Sequence, residues 1–320
     1  MIANNTSELP HKAFRNRKDI TSYSIADNIK AIGEEVFCMC ENLSQIDGLE
    51  RIEKLSRSAF EGTAISEVKL SPLLEDIPDS CFCKCKNLRE IILPPNLKRI
   101  GDYAFKDCTS LKRIVIPQTV EYIGESAFES CRNLETVVLN DNLQVLKDGV
   151  FCACTSLKEI NFPTSLKEIE DYAFVGCYEL TELVFPQSLE KIGKGAFAFC
   201  ASLKKVVLPS SLTRLSDKAF VCCSDLEEVF LNENLTKIGN YAFEDCSSLQ
   251  TIALPSTLKE IGKRVFWGCI SLEKVSCLAT YPPKARTSIF DLEHLPSEII
   301  IPISSTNLYQ NAEGWKDVIK

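Results

Sequence analysis

The stretch that decides the fold runs from Leu189 to Pro209, LEKIGKGAFAFCASLKKVVLP. Its frame, L-x-x-I-G-x-x-A-F-x-x-C-x-x-L-x-x-V-x-L-P, returns along most of the chain. The repeated phenylalanines are Phe37, Phe60, Phe82, Phe105, Phe128, Phe151, Phe174, Phe197, Phe220, Phe243 and Phe266. Their spacing is 23 residues except between Phe60 and Phe82, where a step of 22 indicates a shortened turn. A fixed period of this length is typical of a solenoid, in which each repeat forms one coil.

The pattern reaches further toward the N-terminus than the clearest repeats. Phe14 precedes Phe37 by 23 residues, in a more polar context. A terminal repeat has only one neighbour, so its outer side has to be polar. We therefore predict a polar segment over 1–12, followed by an atypical first repeat over 13–35.

The distal end closes the array in a similar way. Phe290 follows Phe266 by 24 residues, and a strand pattern with a proline follows it. This predicts an atypical closing repeat over 278–302, so that 13–302 forms a single solenoid domain. Apolar residues at helical spacing come next, and they predict a C-terminal capping helix over 303–320.

One repeat predicts one strand and one return segment. In Leu111-Lys-Arg-Ile114-Val-Ile116-Pro117, Ile114 and Ile116 lie two residues apart and share the inner face, whereas Val115 points outward. Pro117 ends the strand because it donates no ladder hydrogen bond. The return segment follows neither period, which predicts short turns or helical turns. The expected fold is a right-handed repeat solenoid of about 13 coils of 23 residues, with a parallel sheet on one face.

The frame also resembles a known family, in the spacing Leu212-x-x-Leu215-x-x-x-Ala219-Phe220-x-x-Cys223-x-x-Leu226-x-x-Val229-x-Leu231. This spacing is similar to that of the BspA-type leucine-rich repeat family of bacterial and protist cell-surface proteins, over about 13–302. The resemblance implies an α/β-type leucine-rich repeat. It also implies a secreted or cell-surface molecule that binds proteins without catalysis, in adhesion or host contact.

Charge and hydropathy exclude several other classes of protein. The chain has 44 acidic and 36 basic residues, with no long run of one sign, so no nucleic-acid partner is expected. No apolar run of membrane-spanning length occurs. The N-terminal segment lacks the apolar middle of a secretory signal. Either the protein is cytoplasmic, or an export signal has been removed from a surface or secreted protein.

Sixteen cysteines raise the questions of disulfides and metal. Ten of them lie three residues after the repeated phenylalanine: Cys40, Cys85, Cys108, Cys131, Cys154, Cys177, Cys200, Cys223, Cys246 and Cys269. Neighbouring coils would bring these within disulfide range. A small buried thiol in every coil explains the column better, so we favour a ladder of free thiols over bridges. The remaining clusters lack the paired spacing and the histidines of a zinc site.

Nothing in the sequence marks a catalytic or cofactor site. The two histidines, His11 and His294, lie near the chain ends without a nucleophile motif beside them. The glycines that follow isoleucine at the repeat period are interpreted as turn glycines rather than as a phosphate loop: Gly101, Gly124, Gly193, Gly239 and Gly262. We therefore predict no enzyme, no cofactor and no metal.

The outward strand position is mostly apolar, although it should face solvent. Its residues are Ile92, Val115, Val138, Asn161, Val184, Val207, Phe230, Ala253, Ser276 and Ile300, beside a charged or polar column. Branched residues suit any pleated surface, which is one interpretation. The other is a protein-binding stripe formed by Ile92, Val115, Val138, Val184, Val207 and Phe230, because an apolar band with a charged rim is typical of interfaces. Phe230 would be its anchor.

The expected function is non-enzymatic protein recognition by a monomer, with a partner such as a host extracellular protein docked along the sheet face. The alternative is an intracellular scaffold or structural repeat protein, which the thiol-rich core favours.

Overall fold

The computed structural model describes residues 6–285 and 287–319. It is a parallel-strand solenoid of about 13 coils of about 23 residues, which confirms the predicted fold class. The chain divides into two compact units, unit 1 ending at Pro163 and unit 2 beginning at Thr164. Each unit is described separately below.

Unit 1 alternates longer strands with two-residue strands. The longer strands are β2 (Ser22–Ser24), β4 (Gln45–Asp47), β5 (Glu67–Lys69), β7 (Glu90–Ile92), β9 (Arg113–Val115), β11 (Thr136–Val138) and β13 (Glu159–Asn161). The two-residue strands are β1 (Glu8–Leu9), β3 (Ala31–Ile32), β6 (Asp76–Ile77), β8 (Arg99–Ile100), β10 (Tyr122–Ile123) and β12 (Val145–Leu146). The longer strands form parallel ladders β2–β4, β5–β7 and β9–β11–β13, and a ladder β6–β8–β10 joins short strands.

Unit 2 repeats this alternation with a more continuous sheet. Its longer strands are β15 (Glu182–Val184), β17 (Lys205–Val207), β19 (Glu228–Phe230), β21 (Thr251–Leu254), β23 (Lys274–Cys277) and β24 (Glu298–Ile300), in one six-stranded parallel sheet. The short strands are β14 (Glu168–Ile169), β16 (Lys191–Ile192), β18 (Arg214–Leu215), β20 (Lys237–Ile238) and β22 (Glu260–Ile261). The longer strands form what we call the sheet face of each unit.

The register explains why the sequence period is visible on the surface. Each strand residue pairs with the residue 23 positions along, as Val137 pairs with Ile160 and Val138 with Asn161. The central residue of each strand points into the core, so Val137 is buried while Val138 is exposed. A column of identical positions in the sequence is therefore a column of neighbouring side chains.

The repeated phenylalanines stack through the core of each unit. Successive ring centroids lie 5.3–5.6 Å apart from Phe14 to Phe151 and 5.2–6.0 Å apart from Phe174 to Phe290. The turn that carries each ring is held by the next coil, as where the Phe105 N–H donates to the Ala127 carbonyl at 2.8 Å. The turns contain no α-helix in the described part of either unit before Ile303; the coils there hold one 3-10 helix, Leu49–Arg51.

The predicted thiol ladder is present, and it has a hydrogen-bonding role. In unit 1 the ladder thiols donate to the phenylalanine carbonyl of the preceding coil at 2.9–3.2 Å. In unit 2 the corresponding distances are 3.1–3.4 Å. Thr63 takes the ladder position in one coil and its hydroxyl donates to the Phe60 carbonyl at 3.0 Å. All sixteen cysteines are free thiols in the structure.

The interpretation of the repeated glycines as turn glycines was wrong. A Cβ on Gly101 would lie 2.5 Å from the backbone nitrogen of Asp79 in the preceding coil, and none of the five has the left-handed backbone conformation. They are required by close approach between coils. The left-handed positions lie elsewhere, two residues before and after the phenylalanine, as at Gly195 and Phe199.

The two chain ends close their units differently. At the N-terminal end, β1 pairs with β3 and Leu9 is buried, so the first coil begins within segment 1–12. At the C-terminal end a 3-10 helix (Ile303–Ser305) leads into a short helix α1 (Thr306–Gln310), and turns follow.

Candidate functional site

Three apolar side chains stand side by side on the sheet face of unit 2. The register pairs Val184 with Val207 and Val207 with Phe230. Their exposed fractions are 78%, 48% and 50%. The next two positions of the column are Ala253 and Ser276, which are smaller or polar. We call Val184, Val207 and Phe230 the unit 2 patch.

Charged side chains border the unit 2 patch on the same strands. The Lys205 ammonium lies 3.1 Å from the Glu228 carboxylate, and it stands over the Phe230 ring at 4.9 Å from the centroid. Glu182 stands beside Lys205 on the neighbouring strand. The ammonium holds one side of the ring by a cation–π contact, which preorganises an exposed aromatic side chain.

The unit 1 members of the predicted stripe are placed in two different ladders. Val115 and Val138 are register partners on β9 and β11. Ile92 lies on β7, whose ladder partner is β5, where Ile92 pairs with Lys69. All three are exposed, so the predicted orientation is correct.

Sequence reasoning missed one concave feature of unit 1. A cavity of about 690 Å³ opens on the sheet face, with Ile46, Val68, Leu70 and Ile92 among its lining residues. The signals that could have indicated it are the 22-residue step and Gly48, which adopts a left-handed conformation with φ of 95°.

The titratable groups are arranged for structure rather than for catalysis. His11 faces Glu34 at 3.6 Å and His294 faces Asp291 at 3.1 Å, each at an exposed position. Burial raises the pKa of the Cys85 thiol to about 12, so it stays protonated and unreactive near neutral pH. Within 6–285 and 287–319, no group of three or more His, Cys, Asp or Glu side chains could hold a metal ion. No helix in the same described ranges is long and apolar enough to cross a membrane.

Stacked parallel strands at a fixed period define the class of leucine-rich repeat proteins, which generally bind other proteins. The family model for the BspA type leucine rich repeat region (6 copies) matches residues 7–135, 75–199, 121–241, 167–290 and 214–312. These overlapping matches cover most of the chain, and the protein belongs to this family.

Crystal structures of bacterial proteins are similar to the chain. A leucine-rich repeat protein from Bacteroides ovatus is 29% identical with a TM-score of 0.59, over 92% of this chain and 78% of that one. A leucine rich cell surface protein from Faecalibacterium prausnitzii is 25% identical with a TM-score of 0.57, over 85% and 76%. The pneumococcal vaccine antigen PcpA shares the fold at 20% identity and a TM-score of 0.52, over 89% and 66%. No curated protein matches the chain significantly.

Proposed function

We propose that this protein is a non-enzymatic recognition molecule whose unit 2 patch anchors a protein partner. The observation that carries the proposal is the row of Val184, Val207 and Phe230, exposed on a rigid sheet without any requirement from the core. Aromatic anchors within an apolar patch dominate the binding energy of protein interfaces. The charged neighbours Lys205 and Glu228 supply the polar rim that such interfaces have.

The proposed location is the cell surface or the extracellular space, where the partner would be an extracellular protein of a host. The support is the similarity to a leucine rich cell surface protein from Faecalibacterium prausnitzii. Such a molecule would act as a monomer in adhesion or host contact, presenting the sheet face to its partner.

The sixteen free thiols favour a second candidate, an intracellular scaffold. A ladder of unbridged cysteines suits a reducing compartment. Protease treatment of intact source cells distinguishes the two locations. Loss of the protein by immunoblot, with a cytoplasmic marker preserved, supports the surface proposal, and protection of both supports the scaffold.

The binding proposal is tested by capturing host extracellular proteins on the immobilised chain. Phe230→Ala with Val207→Ser is expected to weaken capture by at least about tenfold, since a hot-spot side chain contributes about 2 kcal/mol or more. Phe199→Ala is the matched control. Phe199 is a phenylalanine of unit 2 with a similar exposed fraction, 47%, but it lies in a turn outside the sheet face.

Circular dichroism and urea unfolding should show that all variants keep the fold. If capture by the double variant equals that of the wild type, the apolar row reflects strand propensity alone and the proposal is rejected. If Phe199→Ala weakens capture as much as the double variant, the binding site does not lie at the unit 2 patch.

A further inference from the structure

The sheet face of unit 1 is interrupted between β4 and β5. Among the described residues β4 pairs with β2, β5 pairs with β7, and no ladder joins β4 to β5. The two coils are still linked in the preceding turn, where the Ala64 N–H donates to the Leu43 carbonyl at 2.9 Å. The interruption therefore affects the strands and not the whole coil.

Two irregularities of the chain flank this interruption. The turn before β5 is one residue shorter than in the other coils, which gives the 22-residue step. After β4, Gly48 has a left-handed conformation, and the chain continues into the 3-10 helix Leu49–Arg51. Both features are built into the sequence, so the interruption is a designed property of this coil.

An apolar cleft lies over the interruption, and we call it the β4–β5 cleft. Its volume is about 690 Å³, and its apolar lining includes Ile46, Val68, Leu70, Pro72, Ile92 and Pro94. Ile92 at its margin is 76% exposed. The edge of β5 that faces away from β7 carries backbone N–H and C=O groups without a strand partner. An unpaired edge is a template for a strand from another chain.

Two carboxylates at the cleft define the charge of its occupant. The parallel register places Glu67 directly opposite Glu90, both exposed and both lining the cleft. No ion pair involves either of them in the described residues, whereas the equivalent position in unit 2 pairs Lys205 with Glu228. Like charges opposite each other on neighbouring strands repel, and a cation from outside would relieve that repulsion.

We propose that the β4–β5 cleft is a second binding site, which takes an extended peptide segment carrying an apolar residue beside a basic residue. The peptide backbone pairs with the open edge of β5, the apolar side chain enters the cleft, and the basic side chain lies between Glu67 and Glu90. This site lies in unit 1 and does not depend on the unit 2 patch.

The test uses a fluorescein-labelled short peptide of alternating lysine and isoleucine, with binding followed by fluorescence anisotropy at low ionic strength. One control peptide alternates glutamate with isoleucine, and another alternates lysine with serine. The lysine–isoleucine peptide is expected to bind at least about tenfold more tightly than either control, because both the charge and the apolar side chain contribute.

Two double variants test the two contributions separately. Glu67→Gln with Glu90→Gln should weaken binding of the lysine–isoleucine peptide about tenfold and reduce its salt dependence. Ile46→Ser with Ile92→Ser should weaken it by a similar factor without changing the salt dependence. Glu159→Gln, at the same strand position on β13, is the charge control and should leave binding unchanged.

Phe230→Ala separates this site from the unit 2 patch, because it should leave peptide binding intact even where it abolishes partner capture. The proposal is overturned if the lysine–isoleucine peptide does not bind. It is equally overturned if either control peptide binds as tightly, or if neither double variant weakens binding in proteins whose circular dichroism matches the wild type.

Discussion

At the scale of a single residue, Gly239 shows that the neighbouring coil decides which side chain is tolerated. Asp217 of the preceding coil accepts a hydrogen bond from the Asn240 N–H at 2.8 Å. A Cβ on Gly239 would lie 2.5 Å from the Asp217 nitrogen and 2.6 Å from its carboxylate oxygen. One coil earlier, where Lys194 replaces the aspartate, the equivalent of the glycine is Ser216. Glycine thus accompanies the bridging carboxylate.

Gly239→Ala is expected to lower the free energy of unfolding by about 2 kcal/mol, because the added methyl meets backbone that cannot move aside. The midpoint of urea unfolding measures this loss. Thr213→Ala, an exposed change in the same unit, serves as the control and should alter the free energy of unfolding by less than about 0.5 kcal/mol. Equal midpoints for Gly239→Ala and the wild type would contradict the close-approach explanation.

At the scale of the element, the sequence predicts strands well and their gaps poorly. The alternation in Arg113–Val115 correctly orients Val115 outward, since only two faces exist for a strand. The two-residue strands, such as Tyr122–Ile123, are too short to show a period. The 22-residue step predicts a shortened turn, but the β4–β5 interruption also depends on the backbone of Gly48, which no pattern reveals.

The candidate site was predictable to the same degree. The exposed row of the unit 2 patch follows from the period of the repeat and the period of the strand. The contacts of Lys205 with Glu228 and with the Phe230 ring depend on side-chain conformation, which the sequence does not specify. The β4–β5 cleft was missed because its lining comes from three strands in different coils.

The C-terminal element closes the core of unit 2 with two aromatic side chains. Trp315 is fully buried, packs edge-on against the Phe290 ring at 6.3 Å, and donates its indole N–H to the Pro283 carbonyl at 3.0 Å. The Tyr309 hydroxyl donates to the Ala279 carbonyl at 2.8 Å. Both acceptors lie in the irregular segment around Tyr281, which explains why that segment departs from the repeat.

Trp315→Ala is expected to destabilise unit 2 by about 4 kcal/mol, because it removes a buried aromatic side chain and leaves the Pro283 carbonyl without its donor. Urea unfolding measures the loss. Trp267, the second of the two tryptophans, is half-buried with its ring under Arg264. Trp267→Ala should cost about 1 kcal/mol or less. Similar losses for the two variants would show that the C-terminal element does not close the core.

At the scale of the whole molecule, the buried thiols link stability to pH. Desolvation raises the pKa of Cys85 and of Cys269 from 9.0 to about 12, and that of Cys83 to about 11. The unfolded chain therefore loses these protons at lower pH than the folded chain does. Stability is complete below about pH 9 and is lost as the pH rises toward 12.

Each such thiol should reduce the free energy of unfolding by about 1.4 kcal/mol per pH unit within this window. Cys85→Thr removes one of them and retains a hydroxyl donor like that of Thr63, which occupies the ladder position one coil earlier and donates to the Phe60 carbonyl. The variant should therefore show a shallower alkaline decline, by about one proton, in urea unfolding between about pH 9 and pH 12. Thr63→Ser changes no titrating group and should follow the wild-type slope. An unchanged slope for Cys85→Thr would show that this ladder thiol does not control alkaline unfolding.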